Sequence, residues 1–311
     1  MDLGPAAKET LTSALAKFEQ LGVRRIALAI AIPIFAGGLY LAVRDYPVSF
    51  ADLRLKPFLL SLVLGVPAII ALLTADFILQ ARFSGAKISF LRALEVVVVG
   101  NAANMLPIPG GAAIRVAAVK THGGTLRRGA YSVPIFFGQQ LGIGFLYAGG
   151  WLFAGFDTVS GGVLLGLGLV IATICSAMLY LLAAKPSMML LGASLLTKIL
   201  LVSIAAVVAL WSLEAIGVPV HYPQAAIFVV AGMIGTLIWV VPGGLGVQEA
   251  VSAALAPLVG LSPAEGFLAA TAQRCASLIA FLPLAIYFLR AREPGHSALR
   301  GRELRSDLEP N

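Results

Sequence analysis

Charge is what this chain has least of. Of 311 residues only 12% are charged, against 59% hydrophobic, and the mean hydropathy is +0.94. That makeup excludes an ordinary soluble domain and points to a protein that passes through a membrane several times. Cysteine is scarce as well: Cys175 and Cys275 lie inside apolar segments with no ligand or partner at a useful spacing. Their isolation excludes a disulfide framework and a zinc site, and small core residues are expected there instead. Histidine is limited to His122, His221 and His296, scattered over predicted loops, so no metal centre and no cofactor are expected. The net charge of +7 would suit nucleic acid, but the basic residues sit in short loops and at both ends of the chain. No single basic face results; nucleic acid is excluded as a partner, and the charges read as topology signals.

Two breaks organise the apolar sequence. Asn101 to Arg115 reads NAANMLPIPGGAAIR, and from Trp239 the chain reads WVVPGGLGVQE, so Pro109-Gly110-Gly111 returns as Pro242-Gly243-Gly244 at an offset of 133 residues. Two copies of one unit are expected. Proline lacks a backbone donor and glycine has little helix propensity, so each triplet is expected to end a helix. In lipid, backbone groups freed by such a break are tolerated only inside protein or beside a water-filled cavity. A break in each of two corresponding halves points to a transporter-type substrate site.

Taken in order, residues 1–22 form an amphipathic or flexible N-terminal segment, with Leu11, Leu15 and Phe18 at helical spacing. Residues 23–289 form a polytopic membrane domain, its halves at about 57–153 and 190–289, and 290–311 a basic tail expected to be disordered. Full spans are predicted at 23–43, 57–81, 130–153, 163–184, 190–211 and 264–289. The first broken unit runs from Ile88 to Leu106 and resumes from Ala112 to Thr121. Its second arm is roughly 15 Å of helix, half of a hydrocarbon core of about 30 Å, and cannot cross alone. A re-entrant hairpin with the triplet at its tip follows. The second unit, Gln224 to Val241 and Leu245 to Leu258, is read the same way. The fold class is thus all-α integral membrane, about six full spans plus two re-entrant helical hairpins in an inverted repeat.

Loop charges test this frame. With both termini cytoplasmic and both units hairpins, the inner side receives sixteen lysines and arginines, including Lys120, Arg127, Arg128, Lys185 and five tail arginines; the outer side receives Arg44, Arg54 and Lys56. Making either unit a full crossing exports part of the inner set, against the positive-inside bias. One hairpin then enters from each side, the relation that lets a single site face alternate sides. Trp151 and Trp211 fall at predicted outer span ends, as an aromatic belt would place them.

Ionisable residues in apolar segments are costly and face a cavity or a partner. Asp76, Glu95, Arg115, Lys198, Glu249 and Arg274 qualify. Arg115 and Glu249 follow the two breaks, where free helix N–H groups attract an anion and arginine adds a bidentate fork suited to phosphate. The plainer readings are a snorkelling Arg115 and a Glu249 that caps its own helix. Arg274 is mid-span with Glu249 as its expected counter-ion, in a headgroup site or in a structural salt bridge. Its counterpart in the first half is Gln140, beside Gln139, where amides bind a headgroup or link helices. Lys198, Asp76 and Glu95 are expected near interfaces, and Gly138/Gly142 and Gly162/Gly166 are expected at close helix contacts.

Pro242 to Glu249, followed by a span carrying Arg274, resembles the second signature of the lysylphosphatidylglycerol synthase transmembrane family, also called flippase-like. NMLPIPGGAAIR resembles its first signature, and the similarity covers roughly Ile26 to Leu289. Gln139-Gln140 stands where the family often has an acidic-arginine pair, and the soluble aminoacyl-transfer domain is missing. The resemblance implies translocation of an anionic membrane lipid in a bacterial plasma membrane, not an enzyme. The headgroup would bind at Pro109, Gly110, Gly111, Arg115, Gln140, Pro242, Gly243, Gly244, Glu249 and Arg274. Rival readings are an enzyme acting on polyprenyl-phosphate lipids, which neither break equips with a Ser, His or Asp, and a lipid-binding partner protein that does not transport.

Overall fold

The structure, a computed structural model, describes residues 23–46, 53–105, 110–237 and 244–290. The N-terminal segment, the tail beyond Arg290, and Pro109, Pro242 and Gly243 lie outside the described residues. Of the described residues 87% are helical and none lies in a strand. The helices are α1 (Val23–Asp45), α2 (Leu55–Phe83), α3 (Phe90–Met105), α4 (Gly110–Thr121), α5 (Leu126–Gly155), α6 (Thr158–Leu182) and α7 (Met188–Ala215), then α8 (Tyr222–Ile227), α9 (Val229–Leu237), α10 (Val247–Leu255) and α11 (Pro263–Arg290). Four of them, α2, α6, α7 and α11, are long and apolar enough to cross a membrane. Their outward side chains match that environment. Val163, Leu167, Val170 and Leu181 of α6 and Ile279, Leu282 and Ile286 of α11 are exposed, and on helices of this length and hydropathy such a row of bare aliphatics suits contact with lipid. This is an all-α, membrane-embedded protein.

Local chemistry sets the helix ends. Thr125, Asp157 and Ser187 accept backbone N–H bonds at the starts of α5, α6 and α7. At the start of α11, the Ser262 amide donates to Glu265 at 2.7 Å and the Glu265 amide donates back to Ser262 Oγ at 3.3 Å, a reciprocal cap. Within α2, Ser61 to Gly65 widens to π-helical geometry just before Pro67, whose ring and missing N–H disfavour a tight turn.

Several expectations need correction. Gly110 and Gly111 do not terminate a helix: they form the first turn of α4, while α3 closes at Met105. A missing donor matters least at a helix start, so a proline just before α4 is compatible with that start. The first arm of the second unit is two helices, α8 and α9, separated at Phe228. Gly138 and Gly142 do face close neighbours, and a Cβ on Gly142 would lie 2.6 Å from Ala172 N. Gly162 and Gly166 face open space, however; the glycines of α6 that lie against α5 are Gly161 and Gly168, a Cβ on the latter lying 2.6 Å from Leu146 N. The seven-residue spacing keeps both on one helix face. Cys275 is exposed rather than a core residue, while Cys175 is partly buried. Trp151 is partly buried, its ring edge-on to Tyr222 at 6.0 Å, which leaves its expected place at an outer span end as it stood.

Packing divides the interior into two regions. Phe77, Ala81, Val97, Ala118 and Val119 join α2, α3 and α4. Leu152, Leu213, Ile227 and Phe267 join the ends of α5 and α7 to α8 and α11. The regions are laced together, because α3 packs on α11 while α8 and α9 pack on α5. Between them α2 crosses against α7.

Candidate functional site

Each break is held by glycine against glycine. A Cβ on Gly100 of α3 would lie 3.5 Å from Gly111 Cα, and one on Gly244 would lie 2.9 Å from Gly235 Cα of α9. A side chain at Gly244 would drive into the Gly235 backbone, whereas a Cβ at Gly100 would meet Gly111 at ordinary contact distance. The Gly111 amide donates to Asn104 Oδ1 at 3.0 Å, which provides one of the orphan donors at the start of α4 with a partner. In the second hairpin Gly244 and Gly246 both have positive φ, 63° and 79°, a conformation that costs any residue with a Cβ.

Glu249 satisfies both of its plainer expectations at once. Its Oε2 accepts the Gly246 amide at 2.9 Å, capping α10, and also accepts from Arg274 Nη2 at 3.2 Å. Its Oε1 accepts from Arg274 Nε at 2.5 Å, and Arg274 Nη2 donates further to the Gly244 carbonyl at 3.1 Å. Glu249 is wholly buried and the Arg274 side chain is 15% exposed. The fork therefore joins α11 to the tip and the first turn of the second hairpin. Beside it Gln248 Nε2 donates to Gln273 Oε1 at 3.3 Å.

The first hairpin is placed differently. Arg115 of α4 has its guanidinium 5.8 Å from the centroid of Phe77, and among the described residues no acceptor bonds to it. It lies among the helices yet retains accessible surface, and it interacts electrostatically with Asp76 and Lys198. Asp76 and Lys198 were expected near interfaces. Instead they meet across the α2–α7 contact, Lys198 Nζ donating to Asp76 Oδ1 at 2.8 Å with side chains 1% and 8% exposed. The Lys198 ammonium also stands 4.9 Å from the centroid of the Phe136 ring. Glu95 too is buried, paired with the exposed Arg92 at 2.9 Å.

Sequence reasoning thus missed the partnership of Asp76 and Lys198, and a signal for it existed. Each lies more than a helical turn inside a span otherwise nearly free of charge, and opposite charges in two such spans are natural partners. Polar side chains extend the cluster. Gln139 Nε2 donates to Ser176 Oγ at 2.9 Å and Gln139 Oε1 accepts from Ser194 Oγ at 2.9 Å, so Gln139 links α5, α6 and α7. Gln140, expected as the counterpart of Arg274, has a buried Oε1 without a partner among the described residues.

The arrangement has one neutralised arginine, one buried ion pair and one arginine to which no acceptor bonds among the described residues. Such a set can bind an anion at Arg115 with a second cation, Lys198, nearby. Compared with known proteins, the chain matches no family model, no curated protein and no solved structure.

Proposed function

We propose that this protein is a lipid translocase that carries an anionic headgroup past the hairpin tips, with Arg115 as the principal contact. The single observation behind this reading is the open guanidinium of Arg115 among apolar helices, where an unpaired charge is costly. A phosphate would supply the missing acceptors and fit the bidentate fork. Arg274 takes a different part from the one its position suggested: with Glu249 bound to it, it shapes the second hairpin and leaves the site asymmetric. The glycine tips favour close approach of a headgroup to backbone amides.

The frame of the proposal is six spans and two re-entrant hairpins related by inverted topology, with both termini cytoplasmic in a bacterial plasma membrane. Supporting it are the matched glycine contacts at 100/111 and 235/244, and the exchange by which each hairpin's first arm packs on the long helix of the other half. The resemblance of Pro242 to Glu249 and of the first break to the flippase-like family agrees with it. Rocking of the halves about the α2–α7 contact would expose Arg115 to each side in turn.

The test is reconstitution of the purified chain in phosphatidylcholine vesicles holding a fluorescent phosphatidylglycerol, with dithionite quenching to read movement between leaflets. Arg115→Ala is expected to slow movement at least about tenfold, the loss of a charged hydrogen-bonding contact, with Arg115→Lys between the two. Parent-like movement by Arg115→Ala overturns the site. A parent that moves none of several anionic lipids overturns the function.

A further inference from the structure

The buried pair of Asp76 and Lys198 has no part in holding a hairpin, unlike Glu249 and Arg274. Burying two charges is expensive, and apolar residues of similar volume at such a place are often as stable or more so. The pair is also sparsely bonded. The ammonium has three donors, and among the described residues it meets one carboxylate oxygen and the face of Phe136. One turn along α2 from Asp76, Gln80 is fully buried with its Oε1 unpartnered, and its Nε2 donates to Ser132 Oγ at 3.3 Å. Ser84, a further turn on and beside the loop after α2, donates to the same Ser132 Oγ at 3.0 Å. A polar line, Ser84, Ser132, Gln80, therefore leads from the end of α2 towards the ion pair. An orphan acceptor inside such a line is a natural place for a bridging water.

We propose that Asp76 and Lys198 form a proton-binding site coupled to the anion held by Arg115, so that the protein moves a proton together with each anionic headgroup. The inference rests on the translocase reading of the same site. Its logic is repulsion between like charges. Asp76 is bonded to Lys198 of α7 and lies within electrostatic reach of Arg115 of α4, and Cys175 of α6 lies within reach of Lys198. Phe136 and Gln139 of α5 add no charge, and Arg274 of α11 is already held by Glu249. Empty, the site holds two cations and one carboxylate. A phosphate monoanion at Arg115 competes with the Asp76 carboxylate for both cations, which favours a neutral carboxyl. A proton from water then joins a carboxylate oxygen of Asp76, Lys198 keeps its own proton, and the ammonium is released to the phosphate. Linkage makes the effect reciprocal: a proton on Asp76 tightens anion binding by the same factor, of order tenfold or more.

The experiment uses the full chain in detergent, with dihexanoyl phosphatidylglycerol as the probe lipid and inorganic phosphate in a parallel arm. Calorimetry in two buffers of different ionisation enthalpy counts protons taken up on binding. The parent is expected to take up about one proton per lipid, with affinity rising as pH falls. Asp76→Asn is expected to bind without proton uptake and without that pH dependence. The double variant Asp76→Leu/Lys198→Met, which removes both charges, checks that lost uptake is not lost folding. Lipid binding by the parent without proton uptake overturns the inference and leaves the translocase reading standing. Uptake that persists in Asp76→Asn overturns the assignment to this pair. Proton-linked binding of inorganic phosphate but not of the lipid supports the proton site and overturns the lipid. A parent that binds neither probe overturns both readings.

Discussion

Removing Glu249 is the sharpest perturbation of the second hairpin. Glu249→Ala deletes the cap on Gly246 and leaves the guanidinium of Arg274, 15% exposed, without its carboxylate. Loss of an N-terminal cap costs about 1 kcal/mol, and breaking one partner out of a buried ion pair about 3 to 5 kcal/mol. The expected total is about 4 to 6 kcal/mol, reduced somewhat because Arg274 keeps the Gly244 carbonyl. Glu249→Gln retains an acceptor for both the amide and the guanidinium, so a smaller loss of about 2 kcal/mol is expected, the charged part of the hydrogen bonds. Glu249→Leu/Arg274→Met removes both charges and should cost little more than the cap, about 1 kcal/mol. The double variant should therefore be more stable than Glu249→Ala. Unfolding in dodecylmaltoside micelles with rising sodium dodecyl sulfate, followed by the fluorescence of the three tryptophans, gives the comparison. Losses that simply add between Glu249→Leu and Arg274→Met would refute the coupling read from these distances.

Two further outcomes follow from the helix contacts and caps. Gly142→Leu should destabilise the same micellar protein by about 3 kcal/mol or more, since the added side chain meets the Ala172 backbone, whereas Gly162→Leu should be close to neutral in open space; similar losses at both would refute the packing register of α5 and α6. The Asp157 carboxyl is held below its usual range by the Ser160 hydroxyl and, after it, the Val159 amide. A depressed folded value means that its stabilising contribution is present above the unfolded value of about 3.9 and is lost as pH falls through the folded one. Parent and Asp157→Asn should therefore differ at neutral pH and converge on acidification below about pH 4, and a difference that does not change with pH would contradict the cap's charge.

The charged residues differ in how far the chain alone revealed them. Glu249 and Arg274 could be paired in advance because each has few choices: one follows a break, the other sits mid-span with no reach to an interface. Arg115 was recognisable for the same reason, by its place after Pro109-Gly110-Gly111. Asp76 and Lys198 were not. Each taken singly stands within a flexible side chain's reach of a span end, and they are separated by 122 positions in sequence. The glycines divide the same way. Spacing pointed to Gly162 and Gly166 of α6, but Gly161 and Gly168 lie in the same stretch, and only the rotation of α6 against α5 selects between the two pairs.

Helix extents, caps and membrane depth depend on neighbours a few residues away and on distance along one axis. Amino-acid order therefore specifies them, and the long apolar helices, the two breaks and the Gly246–Glu249 cap were all readable from it. What a side chain faces depends on the rotation of its helix and on which other helix packs beside it. That choice is made when α2 crosses α7, α3 packs on α11, and α8 and α9 pack on α5. It is why Asp76 and Lys198 became a buried pair next to Arg115, while Arg274 was taken up by Glu249 and Gly244.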